Sequence, residues 1–205
     1  YEYIKNLPDD KIIIYLDGFD STIQGNLNMA VNRFLKYNSK VLYSKDLDYP
    51  FFGLERYVFP SCKGNMTVNC GMYMGYVKYL KILLHEILKK KCKDDQVVVN
   101  TLCKKYDFIN IDNKEEIFKN IYNTRKLENE ISNSNAIFFS QPGSITYKRI
   151  IRAIFEYGQY FIPYLLVIYA IIVYLWYKSK KMYHIIILTI ILIIYYIKMD
   201  KSCIT

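Results

Sequence analysis

Few residues in this chain have the type and spacing to do chemistry. In "LDGFD", Leu16 to Asp20, the carboxylates of Asp17 and Asp20 lie three apart around Gly18, a spacing that can form one side of a cation loop. The stretch lacks the further oxygen ligands of a calcium site, so a turn or helix cap is the favoured reading. The two histidines are isolated: His85 shares a helix face with lysines, and His184 opens an apolar run. Neither has a partner at metal-ligand spacing. No glycine-rich phosphate loop or nucleophile elbow occurs. The expectation is a protein that is not an enzyme, with no catalytic, cofactor-binding or metal residues.

The cysteines fall at positions 62, 70, 92, 103 and 203. Between two of them, "CGMYMGYVKYLKILLHEILKKKC" places Tyr73, Val77, Leu80, Leu84 and Ile87 at steps of four and three, with Lys78, Lys81, His85 and Lys89 opposite. That pattern predicts an amphipathic helix of a soluble core. A continuous helix holds its ends ~33 Å apart, too far for Cys70 to bond Cys92. Cys62, Cys70, Cys92 and Cys103 are then disulfide candidates in two pairings: Cys62 with Cys92 and Cys70 with Cys103, or Cys62 with Cys70 and Cys92 with Cys103. Free buried thiols in a reducing compartment are the alternative. Cys203, past the last apolar run, is a lipidation candidate. "NMT" at Asn65 is a glycosylation sequon, meaningful only in a secretory lumen.

Elements able to position these residues read as helices throughout. Leu27 to Leu42 carries a loose helical pattern, and "DNKEEIFKNIYNTRKLENEI" offers Asp112 or Asn113 as an N-cap with Glu115 and Glu116 in the first turn. "NEISNSNAIFFSQPGS" reads as a linker. Beyond it, Tyr160–Tyr177 and Met182–Ile197 are uncharged runs of 18 and 16 residues separated by Lys178, Ser179, Lys180 and Lys181. Runs near ~20 apolar residues match the hydrocarbon core of a bilayer. The expected fold is all-α: a cysteine-pinned helical domain over 1–131, a linker over 132–147, and a membrane anchor over 148–205 with spans at 160–177 and 182–197.

The net charge of +9 is uneven, with 20 lysines and arginines against 17 acidic residues up to position 145 and 8 against 2 beyond it. The cations therefore flank apolar runs, which points to membrane lipids as partners and away from nucleic acid. Lys148, Arg149 and Arg152 on one side balance the three lysines of the turn, so charge does not orient the hairpin.

The stretch from Cys70 to Leu88 followed by "LCKKYDFINIDNKEEIFKNIYNTRKLENEI", with Cys103, Phe108, Asn113, Lys114, Glu115 and Phe118 in order, resembles the Plasmodium interspersed repeat family of variant surface proteins that includes the Vir proteins. "NLPDDKIIIYLDGFD", Asn6 to Asp20, is similar to the short-helix openings of that family. The resemblance implies a variant surface antigen of a malaria parasite, displayed at the parasite or infected-cell surface or an exported membrane compartment. It would act in antigenic variation, adhesion or immune evasion, with a host-cell or host-immune receptor as partner. The chain departs from the family in its very short linker and its two closely spaced spans. Two other classes stay open: a membrane scaffold or trafficking adaptor with a reduced cytosolic helical domain, and a small membrane enzyme using His184.

Overall fold

The computed structural model describes residues 1–46, 59–122, 127–142, 151, 154–155, 157–178, 182–199 and 202–203. The chain divides into two units, Tyr1–Ile145 and Thr146–Thr205. The first contains β1 (Ile12–Leu16), β2 (Ser21–Ile23), α1 (Leu27–Lys36), β3 (Val41–Lys45), β4 (Val68–Tyr76), α2 (Val77–Lys89), α3 (Asp95–Leu102), β5 (Ile109–Asp112), β6 (Phe118–Asn120), α4 (Leu127–Ser132) and β7 (Phe138–Ser140). The second contains a 3-10 turn at Gly158–Phe161, then α5 (Ile162–Lys178) and α6 (Met182–Lys198).

The all-α expectation is overturned by seven strands in two sheets among the described residues. One sheet runs β1-β4-β3-β5, with β4 antiparallel to both neighbours and β3 parallel to β5. The other runs β2-β7-β6. Both faces of the larger sheet are covered. Val41, Tyr43, Ile109 and Ile111 pack with Leu80 and Leu83 of α2 and with Val98, Val99 and Leu102 of α3. Leu42, Met72 and Met74 pack on the other side with Ala30 and Phe34 of α1. A strand buried on both faces reads as a continuous apolar run and loses the alternation that marks a strand.

That double burial explains the misread stretch. Cys70 to Tyr76 belongs to β4, and the helix begins only at Val77. Val77 and Leu80 are buried on the helix together with Leu83. The opening resemblance fails likewise, because Ile12–Leu16 is a strand paired along its length with β4. The Leu27–Leu42 helix stops at Lys36 and the chain enters β3 at Val41.

The helix expected after Asp112 is also replaced. Asp112 is fully buried, and its carboxylate accepts the backbone N–H groups of Glu116 (3.1 Å), Ile117 (2.7 Å) and Phe118 (2.8 Å) and the hydroxyl of Tyr37. Glu115 adopts φ 53°, a left-handed conformation that ends any helical path. The chain therefore turns around one carboxylate and leaves as β6. Part of the expected linker is core: Ala136 to Phe139 are buried, and β7 is the central strand of its sheet.

Cys62 is joined to Cys103, with Cα atoms 4.9 Å apart and a separation of 41 positions in sequence. Neither expected pairing is made. Excluding a Cys70–Cys92 bond excludes Cys62–Cys103 only if the four cysteines pair among themselves, and the free Cys70 breaks that premise. Cys70 is buried and is the free thiol among the described residues. Cys203 is not a free thiol.

Replacing Asp112 by Asn leaves one acceptor oxygen for three N–H donors. Urea denaturation should show a loss of about 2–4 kcal/mol for Asp112→Asn, and a change within about 0.5 kcal/mol for Asn113→Ala, an exposed neighbour.

Candidate functional site

The register of β1 against β4 creates the site. Leu16 pairs with Met72, and the next residue, Asp17, donates its backbone N–H to the carbonyl of Gly71 at 2.8 Å. On its other edge β4 is irregular. Tyr43 pairs with Tyr73 and Ser44 with Asn69, so Cys70, Gly71 and Met72 have no counterpart on β3. The bulge reverses the alternation, since Val68, Cys70 and Tyr73 all face one core while Met72 and Met74 face the other. Bulges re-aim side chains beside functional sites.

A cavity of about 240 Å³ opens at this point, lined by Asp17, Asn69, Cys70, Gly71, Asp95, Gln96, Ser140 and Pro142. The Asn69 amide oxygen accepts the Gly71 N–H at 2.9 Å. A Cβ on Gly71 would stand 3.0 Å from both Asp17 Oδ2 and Asn69 Oδ1, so a glycine is needed for the carboxylate to lie against the strand. Tyr15 stacks on Tyr73 at 4.7 Å and donates its hydroxyl to Asp17 Oδ1 at 3.1 Å. Asp20 reaches the site from the start of β2, its carbonyl accepting the N–H of Gln141 at 2.8 Å. Between the two carboxylates Phe19 is fully exposed.

Helix α3 supplies the third carboxylate. Asp94 caps it, accepting the Val97 N–H at 3.2 Å, and this cap leaves Asp95 in the first turn at the cavity mouth. Asn100 fixes the helix to the sheet, accepting the Val68 N–H at 3.0 Å and donating to the Gln96 carbonyl at 2.8 Å. The Gln96 amide donates to Asp46 at 2.6 Å.

Burial and then the charge of Asp17 raise the pKa of Asp20 above the usual carboxylate value, with the Ser140 hydroxyl partly offsetting them. Desolvation, then Asp94, raises that of Asp95, with Asp17 adding to it. None of the three forms an ion pair with a lysine or arginine among the described residues. Asp20 Oδ1 is buried with no hydrogen-bond partner. Cys70 is no nucleophile: burial first, then the surrounding aspartates, push its thiol pKa well up.

Oxygen donors, concentrated negative charge and an orphaned carboxylate oxygen suit a hard divalent cation such as Mg²⁺ or Mn²⁺. Such ions are commonly held by one or two carboxylates, with water and substrate phosphates completing the shell. Among the described residues no three His, Cys, Asp or Glu side chains close around one point, so phosphate and water would supply the remaining ligands. Asp17 and Asp20 were visible in the sequence as a cation loop set aside for want of ligands. Asp95, Asn69 and Ser140 were missed, because separate elements carry them and only tertiary pairing brings them together. The stretch from Cys70 to Cys92, expected as one helix, contributes Cys70 and Gly71 to the cavity wall.

The raised carboxyl groups give a sign to the pH dependence. Folded Asp20 and Asp95 bind protons more tightly than in the unfolded chain, so stability falls as pH rises from the usual carboxylate range through the raised values. A cation should reverse the loss. Near neutral pH, Mn²⁺ at ~100 times its Kd should raise the melting temperature by about 5–10 °C, with little effect at about pH 4, where the carboxylates protonate. Asp20→Asn should melt higher than the unsubstituted chain in chelator and lose the Mn²⁺ response. A Mn²⁺ shift that survives Asp20→Asn would remove Asp20 from the site.

Residues 2–145 match the PLOD GT domain as a protein family, 70% of the chain. The multifunctional procollagen lysine hydroxylase and glycosyltransferase LH3 of Homo sapiens, and that of Pongo abelii, are each 24% identical to the chain over 119 residues. The aligned region is 55% of this chain and 16% of those proteins. These matches overturn the surface-antigen reading, its Plasmodium family and the expectation of a non-enzyme, and they give the adaptor alternative no support. The Lys-, Asn- and Tyr-rich segments that carried the earlier resemblance include β4, β5 and β6, which are strands. The chain belongs to the PLOD GT domain family, a family of enzymes.

Proposed function

We propose that the cavity between β1, β4 and α3 binds the diphosphate of a nucleotide sugar together with a divalent cation, and that the chain transfers the sugar to an acceptor hydroxyl. The observation that carries this reading is the gathering of Asp17 and Asp95 at one cavity, with Asp20 beside Asp17 and Ser140 and no ion pair to a basic side chain among the described residues, in a chain of the PLOD GT family. A diphosphate is itself anionic, so three carboxylates repel it unless a cation lies between. Asp17 and Asp20 would hold that cation, which when bound supplies positive charge where the departing diphosphate becomes more negative.

The remaining residues have assignable tasks. Phe19, exposed between the two carboxylates, offers an aromatic face on which a sugar or base can stack. Asp95, at the cavity mouth with a raised pKa, is placed to orient the acceptor hydroxyl and take its proton. In the transfer the acceptor oxygen bonds to the anomeric carbon as that carbon's bond to the diphosphate oxygen breaks. Both electrons of the broken bond leave on the nucleoside diphosphate. The relatives' name also includes lysine hydroxylation, but the family matched here is the GT domain, so transfer is the activity this reading covers.

The test is release of nucleoside diphosphate by the full chain, from a panel of nucleotide sugars, with Mn²⁺ or chelator. Turnover should require the cation and fall at least about 100-fold in Asp17→Asn and Asp95→Asn. Nucleotide release that is unchanged in chelator, or in both variants, would contradict the assignment.

A further inference from the structure

Three tyrosines stand in one row across the larger sheet. The register sets Tyr15 of β1 opposite Tyr73 of β4, and Tyr73 opposite Tyr43 of β3. Their rings meet in turn: Tyr15 stacks on Tyr73 with centroids 4.7 Å apart, and Tyr73 is tilted on Tyr43 at 4.9 Å. Side chains directly opposed on neighbouring strands are close enough for such contacts, and aromatic pairs are among the favourable ones. Tyr43 is buried in the core and Tyr73 is half-buried, whereas Tyr15, on the edge strand, is exposed. The row thus fixes one surface ring by contacts that lead back to the core. A phenylalanine at position 15 would stack as well, so the hydroxyl answers to something else.

That hydroxyl donates to Asp17 Oδ1 at 3.1 Å. The two residues are two positions apart, where the alternation of an extended chain puts both side chains on one face. The other carboxylate oxygen, Oδ2, lies over Gly71, where an added Cβ would stand 3.0 Å from it. Gly71 lines the cavity, so Oδ2 is the oxygen on the cavity side. The Asp17 backbone N–H is held by the Gly71 carbonyl. Asp17 is therefore fixed at its backbone and at one oxygen. Asp112 shows the other use of a tyrosine-bound carboxylate, because three backbone N–H groups join the Tyr37 hydroxyl there and leave no capacity for a ligand. Among the described residues Tyr15 is the one donor to the Asp17 carboxylate, so Oδ2 keeps its lone pairs.

A carboxylate whose orientation is set in advance loses less freedom when it takes up a metal, and the partners that orient such ligands tune affinity. We propose that Tyr15 is the positioning residue of the cation site: its ring is clamped by Tyr73, and its hydroxyl holds Oδ1 so that Oδ2 faces a divalent cation. Tyr15 itself touches neither the cation nor the substrate. The proposal rests on the reading of the cavity as a cation site and adds to it the group that orients the ligand.

The experiment titrates Mn²⁺ alone into the full chain by calorimetry and records the melting temperature in chelator alongside. Tyr15→Phe keeps the row of rings and removes only the hydroxyl. Its Kd for Mn²⁺ should rise at least about 10-fold, while its melting temperature stays within about 2 °C of the unsubstituted chain. Tyr37→Phe is the structural counterpart, since it removes the hydroxyl bonded to Asp112. It should melt lower and keep its Mn²⁺ affinity within about twofold. Tyr15→Phe that binds Mn²⁺ as tightly as the unsubstituted chain would overturn the role of Tyr15 and leave the cation site standing. Lost affinity in Tyr15→Phe together with a melting drop as large as that of Tyr37→Phe would overturn it too, as damage to the fold. An unsubstituted chain that takes up no Mn²⁺ would remove the cation site, and the role of Tyr15 with it.

Discussion

Desolvation of Asp20 and Asp95, with the charge of Asp17 adding to it, is the constraint on which the candidate site depends. Like charges at a partly desolvated cavity disfavour one another, and each raised pKa records part of that cost. A fold tolerates such a cost where a ligand relieves it, which is why perturbed carboxylates cluster at functional sites. Three backbone features hold the groups in place. These are the Asp17 N–H bond to Gly71, the bulge that gives β4 three residues beyond its β3 register, and the Asp94 cap that sets the first turn of α3. None involves the carboxylates of Asp20 or Asp95, so neutralising either should leave the scaffold standing.

Two buried polar side chains join this site to the rest of the fold. Asn100 is fully buried and ties α3 to the first residue of β4, on the far side of the bulge from Asp17. Asp112 fastens the end of β5 to the start of β6, and so couples the larger sheet to the smaller one. Each satisfies several backbone groups that would otherwise be buried unpaired, at a cost of ~1–3 kcal/mol per group. The smaller sheet in turn delivers Ser140 to the cavity and, through Gln141, anchors Asp20. The site is therefore a joint product of both sheets and α3.

How much of this was legible in the sequence follows from the physics of each segment. The amphipathic helix was readable because its lysines mark the face that meets water, although the reading starts it at Cys70 and the structure only at Val77. The apolar runs after Tyr160 read as two membrane spans; both are helical, but among the described residues only Gly158–Lys178 is long and apolar enough to cross a bilayer. Strand β4 was not readable, since helices cover both its faces and its apolar residues lose their alternation. Asp112 was recognised as a cap, yet the same carboxylate closes a turn into a strand, and its near surroundings do not separate the two outcomes. The Cys62–Cys103 bond was hidden by the premise that the four cysteines pair among themselves, which the free Cys70 breaks. Asp17 and Asp20 were noticed and set aside, because a pairwise motif looks incomplete until α3 and β7 bring up the other side of the cavity.

The central claim is that these carboxylates form a cation-dependent nucleotide site. Electron paramagnetic resonance of Mn²⁺ tests it most directly, because the signal of the free ion is lost on binding to a slowly tumbling protein. Titrating the full chain with Mn²⁺ near neutral pH, with and without a nucleoside diphosphate, should show one bound ion whose affinity rises when the nucleotide is present, and Asp17→Asn should return it to the free signal. A free-ion signal unchanged by protein and nucleotide together, or binding untouched by Asp17→Asn, would contradict the account.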